Sequence, residues 1–220
     1  MKATKLKATL GGAALLGSVA LAGSFAGGTA AIGAEALGGG TDTHASLKSL
    51  NNSGVRGNAD VHVEGRRLNI DVDAFGLKRN LPHAQHIHFG QQARNECPTI
   101  RDDDNGDFRL NTTEGQPAYG GIRVSLTKRG DTSPASGLAV ARFPTAPRGE
   151  IHYDRRTRTN DVRAIRRGEA AVVIHGVDYN NNGKYDFRSA GKSELDPSLP
   201  AEATDPVACG VLRVQEPTLP

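Results

Sequence analysis

Short runs in which apolar and polar residues alternate recur along most of the chain. Leu68, Ile70 and Val72 alternate with Asn and Asp, which is the pattern of a half-buried β-strand. The run 55–63 precedes them, and residues 64–66 between the two runs predict a hairpin turn. Further strand candidates are 84–89, 122–127, 138–143, 150–153, 170–175 and 210–214.

Gly, Pro, Asn and Asp separate these runs, and only residues 161–167 indicate a short helix. About eight strands of this kind predict an all-β fold, either an antiparallel Greek-key sandwich or a flattened barrel. We expect a single β-sandwich domain over residues 53–216. A Gly- and Ser-rich flexible linker is expected before it, over residues 35–52.

The first residues have the composition of an export signal. Lys2, Lys5 and Lys7 precede an apolar, Ala- and Gly-rich run over 8–26, and small residues follow. This order predicts a secretory signal peptide over residues 1–34 and therefore a secreted, extracellular mature protein. Later segments fall short of the ~20 apolar residues of a membrane helix, so we expect no membrane span.

Export changes the interpretation of the charge. The whole chain has 27 Lys and Arg residues against 24 Asp and Glu residues. Three lysines leave with the predicted signal, and every acidic residue lies at Glu35 or later, so the mature chain is balanced. A balanced chain gives no support for a nucleic-acid partner, which would require a clustered basic face.

Cys97 and Cys209 are the two cysteines of the chain. In an exported protein such a pair predicts a disulfide, and two buried free thiols are the alternative. A disulfide that closes a loop of this length stabilises a protein by about 4–5 kcal/mol in the chain-entropy model.

Three histidines are candidate metal ligands. His86 and His88 lie on one face of a predicted strand, because side chains alternate with period two. His175 ends a run that is apolar on both faces, as in a central strand. Three imidazoles suit copper better than calcium or magnesium, and His83 or His152 could add a fourth ligand. The alternative is that these histidines are structural and form hydrogen bonds within the core.

Three segments resemble the copper–zinc superoxide dismutases. They are residues 82–90 (PHAQHIHFG), 171–175 (AVVIH) and 208–212 (ACGVL). The resemblance implies a superoxide-dismutase-like fold, with His86, His88 and His175 as copper ligands and a Cys97–Cys209 disulfide. Residues 57–90 also resemble the chordin-type (CHRD) domain.

The chain departs from the dismutase pattern at two places. Residues 98–122 contain no histidine, so the bridging ligand and the zinc ligands are missing, and we expect no zinc at a dismutase-type site. The family also has an arginine before its last cysteine, which attracts superoxide, whereas residues 204–207 (TDPV) stand there in this chain.

Two acidic loops resemble the calcium loop of EF-hands, in which oxygen ligands at alternate positions surround the ion. We name residues 103–114 loop 1 and residues 178–189 loop 2. Position 6 of loop 1 is Phe108 instead of Gly, and we expect its bulk to resist the positive φ needed there. Position 12 of loop 2 is Ser189, for which Glu194 is a possible substitute. The candidate calcium ligands are Asp103, Asn105, Asp107, Asn111 and Glu114 in loop 1, and Asp178, Asn180, Asn182 and Asp186 in loop 2.

Plain turn clusters are the alternative for both loops, since Asn, Asp and Gly favour turns without any ion.

The sequence therefore leaves three functions open. The first is a secreted metal-binding β-sandwich with a three-histidine copper-type site and calcium-like loops. The second is a copper-only superoxide dismutase. The third is a CHRD-type extracellular interaction or structural module. Metal ions are the predicted partners, and the residues indicate no particular protein partner.

Overall fold

The predicted alternation of buried and outward-facing residues is confirmed in the strands over 56–64 and 67–75. The computed structural model describes residues 39–216. Its strands are β1 (Thr41–Ser49), β2 (Arg56–Glu64), β3 (Arg67–Phe75), β4 (Gln85–Phe89), β5 (Gly121–Ser125), β6 (Glu150–Arg158), β7 (Ala171–His175), β8 (Pro206–Val211) and β9 (Arg213–Val214). Its α-helices are α1 (Thr112–Tyr119), α2 (Arg163–Arg166) and α3 (Ala201–Thr204).

The strands form one antiparallel sheet. Its order is β5-β4-β7-β8-β1-β2-β3-β6, and β9 pairs with β1. The prediction of an antiparallel all-β fold of about eight strands is confirmed. The long connections lie after β4, β5 and β7, and they supply the loops around the histidines.

The sheet curls around one hydrophobic core, to which all eight principal strands contribute side chains. Hydrogen bonds join the edge strand β6 to the segment that follows the other edge strand, β5. Tyr153 donates its hydroxyl to the Thr127 carbonyl (3.2 Å), and the hydroxyls of Thr132 and Thr157 lie 2.8 Å apart. These bonds hold together the edges of the curled sheet.

A second, smaller core lies on the outer face of β7 and β8. Ala171, Val173 and Cys209 pack there against Leu110 and Tyr119, with Leu50 completing the cluster. The covering residues come from the long connection between β4 and β5. This outer layer carries the histidines.

The expected flexible linker is wrong where it overlaps β1. Residues Thr41–Ser49 form a regular strand, in which Thr43, Ala45 and Leu47 are buried and the intervening residues face outward. The alternation was not recognised in the sequence because two of its three buried positions are the small or polar residues Thr43 and Ala45. The predicted signal peptide over 1–34 lies outside the described residues.

The predicted strand over 138–143 is also wrong. The segment folds into a 3₁₀ turn at Val140–Arg142, which follows another at Pro134–Ser136. Phe143 is the one buried side chain of this segment, and the others are half-buried or exposed. The strand predicted over 150–153 is longer, extending to Arg158, and that over 210–214 is split between β8 and β9.

The helices were only partly predictable. The short helix α2 lies within the predicted range 161–167. Helix α1 was not predicted, because Gly115 and Pro117 inside it are weak helix formers. Gly115 is required there, since a Cβ atom would lie 2.6 Å from the Tyr119 ring. Asn111 and Glu114 offset these weak helix formers by closing a capping box at the N-terminus.

The disulfide between Cys97 and Cys209 is present, as expected, and spans 112 residues. It joins the connection after β4 to β8, and Cys209 is buried in the outer core. The bond therefore fixes the loops over the sheet face that carries the histidines.

We predict that removing this bond lowers the free energy of unfolding by about 4–5 kcal/mol, because it closes a loop of more than a hundred residues. The variant is Cys97→Ser with Cys209→Ser, and the measurement is urea denaturation followed by circular dichroism. Wild type measured with reductant should match the variant. An unchanged urea midpoint in both samples would contradict the prediction.

Candidate metal centre

Strands β4 and β7 bring the three predicted histidines together. His86 pairs with Val173 and His88 with Ala171, so both imidazoles share the outer face with His175 at the end of β7. One ligand atom from each of the three histidines lies within 4.8 Å of the others. Among the described residues, no other group of three or more His, Cys, Asp or Glu residues meets this condition.

Both strands change register beside a histidine. The pairing of β4 with β5 shifts between Ile87 and His88, and the pairing of β7 with β8 shifts between Ile174 and His175. Such β-bulges bend a strand and redirect its side chains. Here they redirect two of the three imidazoles.

Each imidazole is oriented by a main-chain carbonyl. The contacts are His86 Nε2 to Gly137 O (3.0 Å), His88 Nδ1 to Gly120 O (3.0 Å) and His175 Nδ1 to Thr204 O (2.6 Å). A carbonyl can only accept, so these nitrogens carry the protons and the tautomers are fixed. The other nitrogen of each ring is left with a free lone pair.

These three remaining nitrogens have no hydrogen-bond partner although they are buried. They are His86 Nδ1, His88 Nε2 and His175 Nε2. A buried polar atom without a partner costs about 1–3 kcal/mol, so three together require an explanation. Metal-binding histidines have this arrangement, with one nitrogen bound to a carbonyl or carboxylate and the other directed at the ion.

The site keeps its imidazoles neutral. Burial is the main cause that lowers the pKa of all three histidines, to about 3 for His88, to about 4 for His175 and well below 6.5 for His86. The neighbouring His175 lowers the pKa of His86 and His88 further. Neutral imidazole is the form that binds metals.

Aromatic rings cover the histidines. Phe143 meets His86 edge-on at 5.1 Å between ring centroids, and Tyr119 lies 4.7 Å from His88. The three histidines are only 2%, 1% and 3% exposed. The site is thus enclosed, and a bound ion would be shielded from bulk water.

The two other histidines considered as a fourth ligand have different partners. His83 lies between two carbonyls, with Nδ1 3.0 Å from His175 O and Nε2 3.1 Å from Lys78 O. It therefore braces the chain next to His175 without joining the cluster. His152 is exposed on β6, where its Nδ1 lies 2.6 Å from Asp73 Oδ1.

Loop 1 adopts a tight turn around Asp103, whose carboxylate accepts the main-chain N–H groups of residues 106–108. The expectation that Phe108 resists a positive φ is wrong, since its φ is 63° and its side chain is 84% exposed. Asn111 and Glu114, at positions 9 and 12, bond to each other's main chain at the start of α1. The capping box therefore occupies these two predicted ligands.

Loop 2 contains a cation supplied by the chain itself. Lys78 Nζ lies 2.8 Å from Asp178 Oδ2, and it donates to Asn181 Oδ1 at 3.1 Å. The Asp178 carboxylate is fully buried and also accepts two N–H groups of the loop, from Asn182 and Gly183. The ammonium thus neutralises the first predicted calcium ligand of this loop.

Sequence reasoning missed two buried acids beside these loops. Glu202 in α3 accepts the N–H groups of Tyr179 and Asp186 and so anchors loop 2. Asp205 accepts from Arg109, and burial raises its pKa to about 7. The one sequence signal for them is that both are acidic residues within the mostly apolar stretch 200–212. Glu194, the suggested substitute ligand, instead lies 3.5 Å from Arg109.

No protein-family model matches the chain, and no curated protein matches it. The resemblance to the dismutases and to the CHRD domain therefore stays an interpretation of short sequence blocks. Over residues 39–216, no helix is long and apolar enough to cross a membrane.

We predict that the metal-free protein loses stability as the pH falls from 6.5 toward 4. The three histidines stay neutral in the folded state but take up protons on unfolding, so each costs about 1.4 kcal/mol per pH unit in this window. Asp205 has the opposite sign, because its raised pKa favours the folded state as the pH falls, and it offsets one histidine. The expected net slope is about 3 kcal/mol per pH unit, and His83, whose pKa is also lowered by burial, adds to it below pH 6.5.

Urea denaturation of the metal-free protein at several pH values measures this slope. His175→Gln removes one of the titrating imidazoles and should reduce the slope by about one proton. A free energy of unfolding that stays constant from pH 6.5 to pH 4 would show that the histidines are not held neutral.

Proposed function

We propose that this protein binds one copper ion through His86 Nδ1, His88 Nε2 and His175 Nε2. The observation that carries the proposal is the convergence of three buried nitrogens without hydrogen-bond partners, each in a ring whose other nitrogen is fixed by a carbonyl. A bound cation would accept all three lone pairs and remove the cost of leaving them unpaired.

Copper is favoured by the chemistry of the donors. All three ligand atoms are imidazole nitrogens, whereas calcium and magnesium require oxygen ligands. Among divalent first-row metals, nitrogen sites bind copper most tightly. Zinc remains the competitor to be measured at this site, although the histidines of a separate dismutase-type zinc site are missing from residues 98–122.

A copper-only superoxide dismutase is the second candidate. A copper ion held by these histidines would supply one-electron redox chemistry, and the order of histidines and cysteines resembles that family. Two features favour metal binding without turnover. The histidines are almost completely buried, and the stretch where the family has its guiding arginine carries the acidic Asp205.

The third candidate is a CHRD-type module whose histidines have only a structural role. Hydrogen bonds from the three rings to carbonyls are compatible with this role. The three inward nitrogens are not, since a structural role gives them no partner. Metal content separates this candidate from the first, and turnover of superoxide separates the second from the first.

We also propose that the protein is exported and functions outside the cytoplasm. The basic and apolar residues at its start support this, and so does the Cys97–Cys209 disulfide, since such bonds persist in oxidising compartments. N-terminal sequencing of the protein recovered from the culture medium or the periplasm tests it. Recovery of only uncleaved protein from the cytoplasm would refute export.

We predict one copper ion per chain in wild type and none in His175→Ala, because the variant loses one of three ligands. The measurement is elemental analysis of the exported protein after loading with copper, zinc and calcium in turn. His152→Ala is the matched control, since its imidazole is exposed and bonded to Asp73, and it should keep one copper. Circular dichroism checks that each variant folds.

An absence of bound copper in folded wild type would contradict the proposal and favour the interaction module. Stoichiometric copper in His175→Ala would refute the three-histidine site. Catalytic turnover of superoxide by copper-loaded wild type would support the second candidate, the copper-only superoxide dismutase.

Calcium binding by the acidic loops stays a prediction, and we propose loop 1 as the site. Asp103, Asn105 and Asp107 lie in its tight turn, and Phe108 already has the backbone conformation that a calcium loop needs at this position. Both loops have a nearby cation, but Lys78 lies 2.8 Å from the buried Asp178 carboxylate of loop 2, whereas Arg109 lies 3.4 Å from Asp107 of loop 1 and pairs more closely with Asp205.

We therefore expect excess chelator to lower the melting temperature by about 3–6 °C relative to millimolar calcium. Asp103→Asn should abolish this shift, because it removes the charge at position 1 of loop 1. Asp178→Asn should leave the shift unchanged. Equal melting temperatures of wild type in chelator and in calcium would make both loops plain turns.

A further inference from the structure

Residues 204–206, which join α3 to β8, are held by a segment almost a hundred residues earlier in the chain. The contacts are Thr112 Oγ1 to Thr204 O (2.6 Å), Arg109 Nη1 to Asp205 Oδ2 (2.7 Å), and Asn51 Nδ2 to both Leu110 O and Pro206 O (2.9 Å each). The end of loop 1 and the start of α1 thus contact residues 204 and 205 directly, and Asn51 links Leu110 to residue 206.

One of these contacts is shared with the histidine site. The Thr204 carbonyl accepts from the Thr112 hydroxyl and also from His175 Nδ1, both at 2.6 Å. The position of this carbonyl sets the orientation of the His175 ring, and therefore the direction of its free Nε2. The side chains that fix residues 204 and 205 act on the metal ligand through this one oxygen atom.

Helix α1 connects this carbonyl to the next histidine. Its first residue, Thr112, contacts Thr204, and the C-cap residue Gly120 supplies the carbonyl that accepts from His88 Nδ1. The helix is also tied internally, since the Tyr119 hydroxyl donates to Thr112 O at 3.1 Å. Two of the three imidazoles are therefore oriented from the two ends of one short helix.

The Arg109–Asp205 ion pair has features that stability alone does not explain. Asp205 is fully buried and Arg109 is 17% exposed, while Tyr179 donates a second hydrogen bond to Asp205 Oδ2 at 2.9 Å. Buried ion pairs usually add little net stability relative to apolar residues of the same size. Moreover, Asp205 Oδ1 has no partner, so the carboxylate is imperfectly satisfied where it lies.

We propose that Arg109 and Thr112 are positioning residues of the histidine site and that loop 1, with α1, sets its affinity for metal. The inference rests on the proposed copper function and deepens it. Neither residue touches the ion. Arg109 fixes Asp205, Thr112 fixes the adjacent Thr204 carbonyl, and this carbonyl orients His175.

The expected effect is that of losing an outer partner of a metal-binding histidine, which weakens metal affinity by about 10–100-fold. Arg109→Met removes the charge and keeps much of the side-chain volume. Thr112→Val removes only the hydroxyl. Arg109→Lys keeps a cation near Asp205 and should recover part of the loss, since a lysine can still make one charged hydrogen bond.

Copper affinity is measured on the exported, full-length mature protein by competition with a chelator of known affinity. Electron paramagnetic resonance of the Cu(II) form provides a second readout, because a rotated His175 changes the ligand field even when copper is saturating. Arg94→Met is the matched control. Arg94 forms exposed ion pairs with Glu96 and Asp102 ahead of loop 1, and its removal should change neither readout.

The outcomes distinguish this inference from the proposed function. If wild type binds no copper, the proposed function fails and the inference fails with it. If His175→Ala abolishes binding while Arg109→Met and Thr112→Val keep wild-type affinity and spectrum, the inference alone is refuted. Should Arg109→Met not fold, Thr112→Val decides, because it leaves the ion pair in place. An equal loss of copper affinity in Arg94→Met would refute the inference, because the effect would then reflect a general loss of stability.

Discussion

A cluster of three buried histidines, each with one ring nitrogen that has no hydrogen-bond partner, is the constraint on which this structure depends. They lie on the outer face of β4 and β7, and each ring is held from the opposite side by a main-chain carbonyl. These carbonyls come from three separate connections, at Gly120, Gly137 and Thr204. The long loops of the fold therefore act as parts of one site, although they are distant in sequence.

The sequence was sufficient for what depends on local pattern and residue type. Period two placed His86 and His88 on one face, and the apolar run before His175 identified a central strand. Two cysteines, in a chain expected to be exported, predicted their own pairing. The sequence was insufficient wherever a contact between residues distant in the chain overrides the local conformational preference. Strand β1 was hidden because Thr43 and Ala45 are weakly apolar, and α1 because Tyr119 requires Gly115 inside the helix.

The carbonyl partners of the histidines could not have been predicted, since a main-chain acceptor leaves no mark on residue identity. The cations beside the acidic loops were not predicted for another reason. Lys78 and Arg109 are ordinary surface residues by composition, and only the folded chain brings Lys78 to Asp178 and Arg109 to Asp205. In both places a motif typical of calcium loops lies beside a positively charged side chain of the protein itself. This positive charge reduces the electrostatic attraction of the loop for a cation.

The acceptor for His175 lies at Thr204, immediately before β8, and this has a consequence for the order of assembly. A chain that is synthesised from its N-terminus contains the His86–His88 pair long before residue 204 has been added. Until Thr204, which lies just before β8, takes its place, the carbonyl that fixes the tautomer of His175 is missing. With the export and the metal binding proposed above, the orientation of the ligand set would be completed only when almost the whole polypeptide is available, so metal would be acquired late, after passage of the chain across the membrane.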